Sequence, residues 1–181
     1  HEVADDIING CVIANVSYIF FPNAPCHADG RVKEACWQAR ARGVVFDIAH
    51  GAGSFDFEVA EAMLAGGFPP DVISSDVHAL CIDGPAFDTM ETMSKLLCLG
   101  MPLTDVVRAV TATPAGLLRR PDLADLSVGS TGDATVMRLE DGLFTFADVS
   151  GGTRIGQQRF ALDSMVVGGA LWHAADGVTT C

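Results

Sequence analysis

Apolar and polar positions change rhythm three times along this chain. Cys11 to Phe21 is a continuous apolar, β-branched and aromatic run closed by Pro22 and Pro25, which predicts a buried strand. Before it, Val3 to Ile8 reads as the end of a helix stopped by Asn9-Gly10. After Asp29-Gly30, the positions Val32, Ala35, Cys36 and Ala39 recur at helical spacing until Gly43. A second apolar run, Val44 to Ala49, stops at His50. Phe57 to Ala65 is again helical, with Val59, Ala60, Met63 and Leu64 on one face. Val72 to Ser74 is a third strand, ending beside Asp76. A helix starts at Asp88, with Glu91 in capping-box register, and ends at Gly100. Leu103 to Val110 is a further helix, and Thr113-Pro114 marks the entry to another.

From about Pro121 the helical rhythm disappears. Short runs take its place: Ala134 to Leu139, Leu143 to Ala147, Arg154 to Leu162 and Ser164 to Val167. Asp141-Gly142 carries a hairpin signal. Two units are therefore expected, residues 1–121 and residues 122–181. In the first, strands alternate with helices, which implies parallel strands joined by crossovers. Such sheets bind ligands at the carboxyl ends of their strands. Asn15, His50 and Asp76 fall at or near those ends.

Composition narrows this picture. The chain has 181 residues, 49% of them apolar, so it can build a sizeable core. With 23 acidic and 11 basic residues its net charge is −12, which argues against nucleic acid or an anionic membrane as partner. Cys11, Cys26, Cys36, Cys81, Cys98 and Cys181 form no C-x-x-C pair, and they read as free buried thiols of a reducing, cytoplasmic compartment. No apolar run reaches membrane-spanning length, and the N-terminus lacks signal-peptide order. The chain starts at His1 and soon enters an apolar strand, the pattern expected of a piece of something longer.

Asp76 is the sharpest chemical candidate. A carboxylate at the end of a buried strand is costly unless it is paired, caps a helix or binds a metal. Next to a divalent ion it can also take a proton from attacking water. His50 can be a ligand at its strand end or a core histidine satisfied by hydrogen bonds. His78 can face substrate or lie on a loop surface. The other signals are weaker. Cys26-His27 lacks a second pair, His1 and His173 look incidental, Gly51-Ala52-Gly53 lacks the lysine of a phosphate loop, and Ser54 lacks a nucleophile elbow.

Two stretches carry a resemblance: RARGVVFDIAHGAGSFDFEVAEAMLAGGFPPDVISSDVH and TMSKLLCLGMPLTDVVRAVTATPAGLL. They resemble the dihydroorotase-like amidohydrolase and deacetylase branch of the amidohydrolase superfamily. The likeness extends from about Val3 to Trp172, the tail resembling that family's closing β-subdomain. It implies an α/β fold, here the C-terminal part of a TIM-like (β/α)8 barrel followed by a small antiparallel β-subdomain. It also implies one or two zinc ions and a small-molecule acyl or cyclic amide substrate attacked by metal-activated water. On this resemblance Asp76 is the last-strand metal ligand and general base. His50 is a metal neighbour, and His78, Gly51 and Ser75 face substrate.

The departures are as informative. No HxH pair occurs, and neither Lys33 nor Lys95 is placed as a barrel-strand lysine. Asn15 stands where the resemblance expects a histidine. Three or four barrel strands leave open edges, so association into a homo-oligomer is one expectation and an inactive isolated chain another. Two rivals stay open. One is a degenerate relative acting as a binding or scaffold domain. The other is an unrelated doubly wound α/β domain, which would need Asp76 and His50 to point apart.

Overall fold

A computed structural model of the chain describes residues 13–15 and 24–174. The predicted helix at Val3 to Ile8 and most of the predicted Cys11–Phe21 strand lie outside the described residues. Of that strand, β1 (Ile13–Asn15) is described. It pairs in parallel with β2 (Val45–Ala49), which pairs in parallel with β3 (Val72–Ser74) in the order β1-β2-β3. The crossovers carry α1 (Glu34–Ala41) and α2 (Phe57–Ala65). This is the α/β arrangement expected of a partial barrel.

Each helix follows from its local sequence. On α1, Cys36 and Ala39 are buried, three apart on one face. Asp56 caps α2, its Oδ1 accepting from the amides of Glu58 (2.9 Å) and Val59 (3.2 Å). Phe57, Val59, Ala60 and Met63 are buried, while Leu64 packs at the margin of the core. Asp88 caps α3 (Thr89–Cys98) through the Glu91 amide at 2.7 Å, which realises one half of the capping box. α4 (Leu103–Val110) matches its expectation. α5 (Ala112–Leu117) begins just before Thr113-Pro114, so Pro114 lies in its first turn, where a missing N–H costs little.

The second half departs from the expected run of short strands. β4 (Ala134–Ala147) and β5 (Thr153–Val167) are two long antiparallel strands, and β6 (Ala170–His173) completes a sheet ordered β4-β5-β6. Asp141-Gly142 is not a hairpin. The register steps from Asp141↔Gln158 to Phe144↔Gly156, so one extra residue bulges out of β4 there. Asp163 is the matching irregularity on β5, between Met137↔Leu162 and Val136↔Ser164. Sequence patterning therefore located both breaks but took bulges for strand ends. The actual turn spans residues 148–152.

That turn ties the two sheets together. Asp148 is buried; its Oδ2 accepts from the Phe57 amide (3.0 Å), and its Oδ1 accepts from the amides of Ser150 (2.9 Å) and Gly152 (2.6 Å). Ser150 Oγ donates to Asp56 Oδ2 at 2.6 Å, and Arg154 grips Glu61 through two hydrogen bonds. Phe146 and Phe160 join Phe46, Ile48, Phe57 and Met93 in one buried cluster. Replacing Asp148 with Ala strands three amides at once. It should lower unfolding stability by about 2–4 kcal/mol, with Asp148→Asn costing less, as measured by denaturant titration.

Candidate functional site

Phe46 and Ile48 alternate into the buried cluster, and His50 follows two residues later as the strand gives way to loop. Its ring is held on three sides. Phe55 stacks on it at 4.7 Å with planes 9° apart. Nδ1 lies 2.9 Å from the Gly51 carbonyl oxygen, and Nε2 lies 2.9 Å from Lys95 Nζ. A carbonyl only accepts and an ammonium only donates, so Nδ1 carries the proton and the Nε2 lone pair receives Lys95. Burial foremost, and then the Lys95 charge, push the imidazole down to about 4.

Lys95 is itself fully buried. It also donates to the Pro85 carbonyl at 2.6 Å and pairs with Glu91 Oε1 at 3.5 Å. Burial lowers its affinity for a proton and raises that of Glu91. Sequence reasoning dismissed Lys95 because it is not on a strand. Its signal is weak: a lysine between Met93-Ser94 and Leu96-Leu97, four residues that are all at least partly buried on a helix covered on several sides.

Asp76 lies just beyond β3, exposed, with φ +48°. Non-glycine residues hold that conformation only where their surroundings fix it, and such positions gather at functional sites. Gly51 is packed against it. A Cβ at Gly51, whose own φ is +49°, would come within 2.8 Å of Asp76 Oδ2. The Gly51 amide donates to the Ser75 carbonyl at 2.8 Å. Gly51, Ser75 and Asp76 are thus brought together, with His50 behind them. His78 is exposed on the following loop, its Nδ1 accepting from the Leu80 amide at 3.3 Å to open a short 3-10 turn at Ala79–Cys81.

Asp47 was missed as a site residue. Its Oδ2 accepts from Ser74 Oγ at 2.8 Å, while its buried Oδ1 has no partner among the described residues. Burial, and to a lesser degree the neighbouring Asp76 charge, raise its proton affinity. The other sequence candidates stay apart: Cys26 is buried while the adjacent His27 is exposed, and His173 ends β6.

Zinc is the group that the resemblance implies, and the described residues do not fit it unaided. Among them no three His, Cys, Asp or Glu side chains converge on a common point. Asp76 offers one carboxylate, and the His50 Nε2 lone pair is engaged by Lys95. A catalytic zinc takes three protein ligands.

The geometry thus defines part of a (β/α)-barrel-type sheet, with His50 and Asp76 just beyond the carboxyl ends of neighbouring strands. Comparison with known proteins gives the lineage. A deacetylase of Enterococcus faecalis is 32% identical over 146 residues, covering 80% of this chain and 40% of that protein. A deacetylase of Agrobacterium fabrum is 43% identical over 109 residues, covering 60% of this chain and 27% of its own length. The crystal structure of an adenine deaminase superposes with a TM-score of 0.87 at 29% identity, covering 93% of this chain and 47% of that one. A dihydroorotase structure gives 0.79 at 30% identity, covering 94% and 47%. No family profile matches the chain. The chain is related to the dihydroorotase- and deacetylase-like proteins of the amidohydrolase superfamily and corresponds to a C-terminal part of them. It spans less than half the length of these relatives.

The clamped His50 has a consequence for stability. Its folded-state affinity for protons, about 4, lies below the unfolded value of 6.5. Its contribution is therefore complete above pH 6.5 and is lost as pH falls toward 4. Wild type should lose about 2–3 kcal/mol more than His50→Asn over that window, read from denaturant midpoints at stepped pH.

Proposed function

We propose that this chain is, by itself, a catalytically incomplete segment of the hydrolase lineage that serves as a binding or scaffold unit. It contributes the Asp76 carboxylate to a small-molecule site. The observation that carries this reading is the lone exposed carboxylate at a barrel-type strand end, with no set of three metal donors around it among the described residues. Gly51 and Ser75 line the approach to Asp76. His78 stands on the following loop, and His50 lies beneath. The ligand class is a small acyl, N-acyl or cyclic amide compound, taken from the lineage. The relatives' names denote different reactions, so lineage supports the class and not the compound.

Net charge of −12 speaks against nucleic acid as partner. No helix among the described residues is long and apolar enough to cross a membrane. The free cysteines Cys26, Cys36 and Cys81, all buried, suit a reducing cytoplasm. The outer edges of β1 and β3 offer a route to self-association. The unit boundary is placed near residue 121.

A second reading is favoured by the chain's share of its relatives and by the preserved strand-end arrangement. In it, the chain is the C-terminal half of a zinc-dependent hydrolase of amide or ester bonds, with Asp76 as ligand and proton acceptor and His50 beside the metal. For His50 to bind metal through Nε2, Lys95 would have to release it.

One experiment separates the two readings. Residues 1–181 dialysed against zinc should hold well under one equivalent by elemental analysis and turn over no N-acyl or O-acyl substrate. Near-stoichiometric zinc that is lost in Asp76→Ala, or measurable turnover, would overturn the incomplete-site reading. In the second reading, co-expression with a barrel half carrying an HxH pair and a strand lysine should produce hydrolysis, and Asp76→Ala should reduce it at least a hundredfold.

A further inference from the structure

Lys95 stands at the centre of an arrangement that the lineage reading does not use. Its ammonium has three protons to donate, and three acceptors surround it: His50 Nε2 at 2.9 Å, the Pro85 carbonyl at 2.6 Å and Glu91 Oε1 at 3.5 Å. They come from three places in the fold: the end of β2, the loop between β3 and α3, and one turn back along α3. A lysine that only solubilised its helix would extend into water. This one is fully buried, and a buried cation persists only when its donors are matched.

We propose that Lys95 is the positioning residue for the Asp76 carboxylate. On one side it holds the His50 ring through Nε2, and the ring's Nδ1–H holds the Gly51 carbonyl at 2.9 Å. Gly51 in turn donates its amide to the Ser75 carbonyl and packs against Asp76 Oδ2 with no room for a Cβ. On the other side Lys95 fixes Pro85, near the far end of the segment that begins at Asp76. One ammonium thus secures both flanks of the loop, and Asp76 is held at its left-handed φ of +48°. The Phe55 ring stacked on His50 prevents the imidazole from tilting out of line. Lys95 touches neither Asp76 nor any ligand; it acts through His50 and Gly51. The functional value of this arrangement rests on the reading that Asp76 faces the ligand.

The test uses nitrogen-15 NMR of the metal-free 181-residue chain at neutral pH. Wild-type His50 should carry its proton on Nδ1, with Nε2 unprotonated. In Lys95→Met the Gly51 carbonyl still holds the proton on Nδ1, but the Nε2 resonance should move as its hydrogen bond from Lys95 is lost, and the amides of Gly51, Ser75 and Asp76 should shift while the rest of the spectrum stays folded. A purely structural lysine would leave the Gly51, Ser75 and Asp76 amides in place. Wild-type His50 protonated at Nε2 would overturn the proposal, as would Lys95→Met shifts confined to α3. If Lys95→Met does not fold, Glu91→Gln serves instead. The same three amides should move by a smaller amount, and their standing still would count against the proposal. A zinc titration of wild type, read at the Asp76 amide, tests the underlying reading separately. No zinc response alongside the Nε2 and amide effects would sink Asp76 as a ligand group and leave the positioning role of Lys95 standing.

Discussion

A buried ammonium dictates the geometry of this site. Lys95 has no water to solvate it, so three acceptors must converge on Nζ, and each belongs to a different stretch of backbone or helix. Removing any one acceptor would leave charge in a low-dielectric interior without a counterpart, a penalty larger than the net gain of an ordinary hydrogen bond. The end of β2, the loop after β3 and the start of α3 are therefore mutually constrained. The left-handed turn at Asp76 and the close approach of Gly51 are local consequences. A glycine adopts such a φ freely and an aspartate tolerates it, so the framework around Lys95 has only to fix where the two residues sit.

A second tie joins the antiparallel sheet to the barrel segment. Asp148 satisfies the first amide of α2 together with two amides of its own turn, and the Asp56 cap of the same helix reaches Ser150. Phe146 and Phe160 sit in the same buried cluster as the β2 residues Phe46 and Ile48. The long hairpin is thus part of what covers α2 and α3, rather than an appendage behind them. Packing against the antiparallel sheet buries helix faces that the three described parallel strands do not cover.

Much of this could be read from sequence because it depends on local rules. The strand ends at His50 and Asp76 are where apolar runs stop. The cap at Asp88 and the breaker at Gly43 are short-range signals, and the helices fall where 3.6-residue periodicity places them, while the Asp56 cap of α2 went unread. The rest of what escaped was non-local. Asp141-Gly142 has the composition of a hairpin turn, yet continuous pairing with β5 absorbs it as a bulge, a choice made by a partner strand about 15 residues away. Lys95 is set aside on sequence because it stands on no strand, and only the cover over α3 shows it buried. Asp47 reads as a polar interruption of β2 until Ser74 is set beside it.

The same distinction bears on function. Strand-end placement is a property of the α/β architecture, so Asp76 and Gly51 meet at the ends of neighbouring strands. A metal site is not built that way. Its donors must converge from strands on opposite sides of the barrel, and three parallel strands supply only one side of that circle. Lys95 and His50 belong to the half that is present, and their network closes on itself within it. The part of the arrangement that these residues fix is therefore complete within the described segment: Gly51, Ser75 and Asp76 meet at neighbouring strand ends, with the Lys95–His50 network behind them.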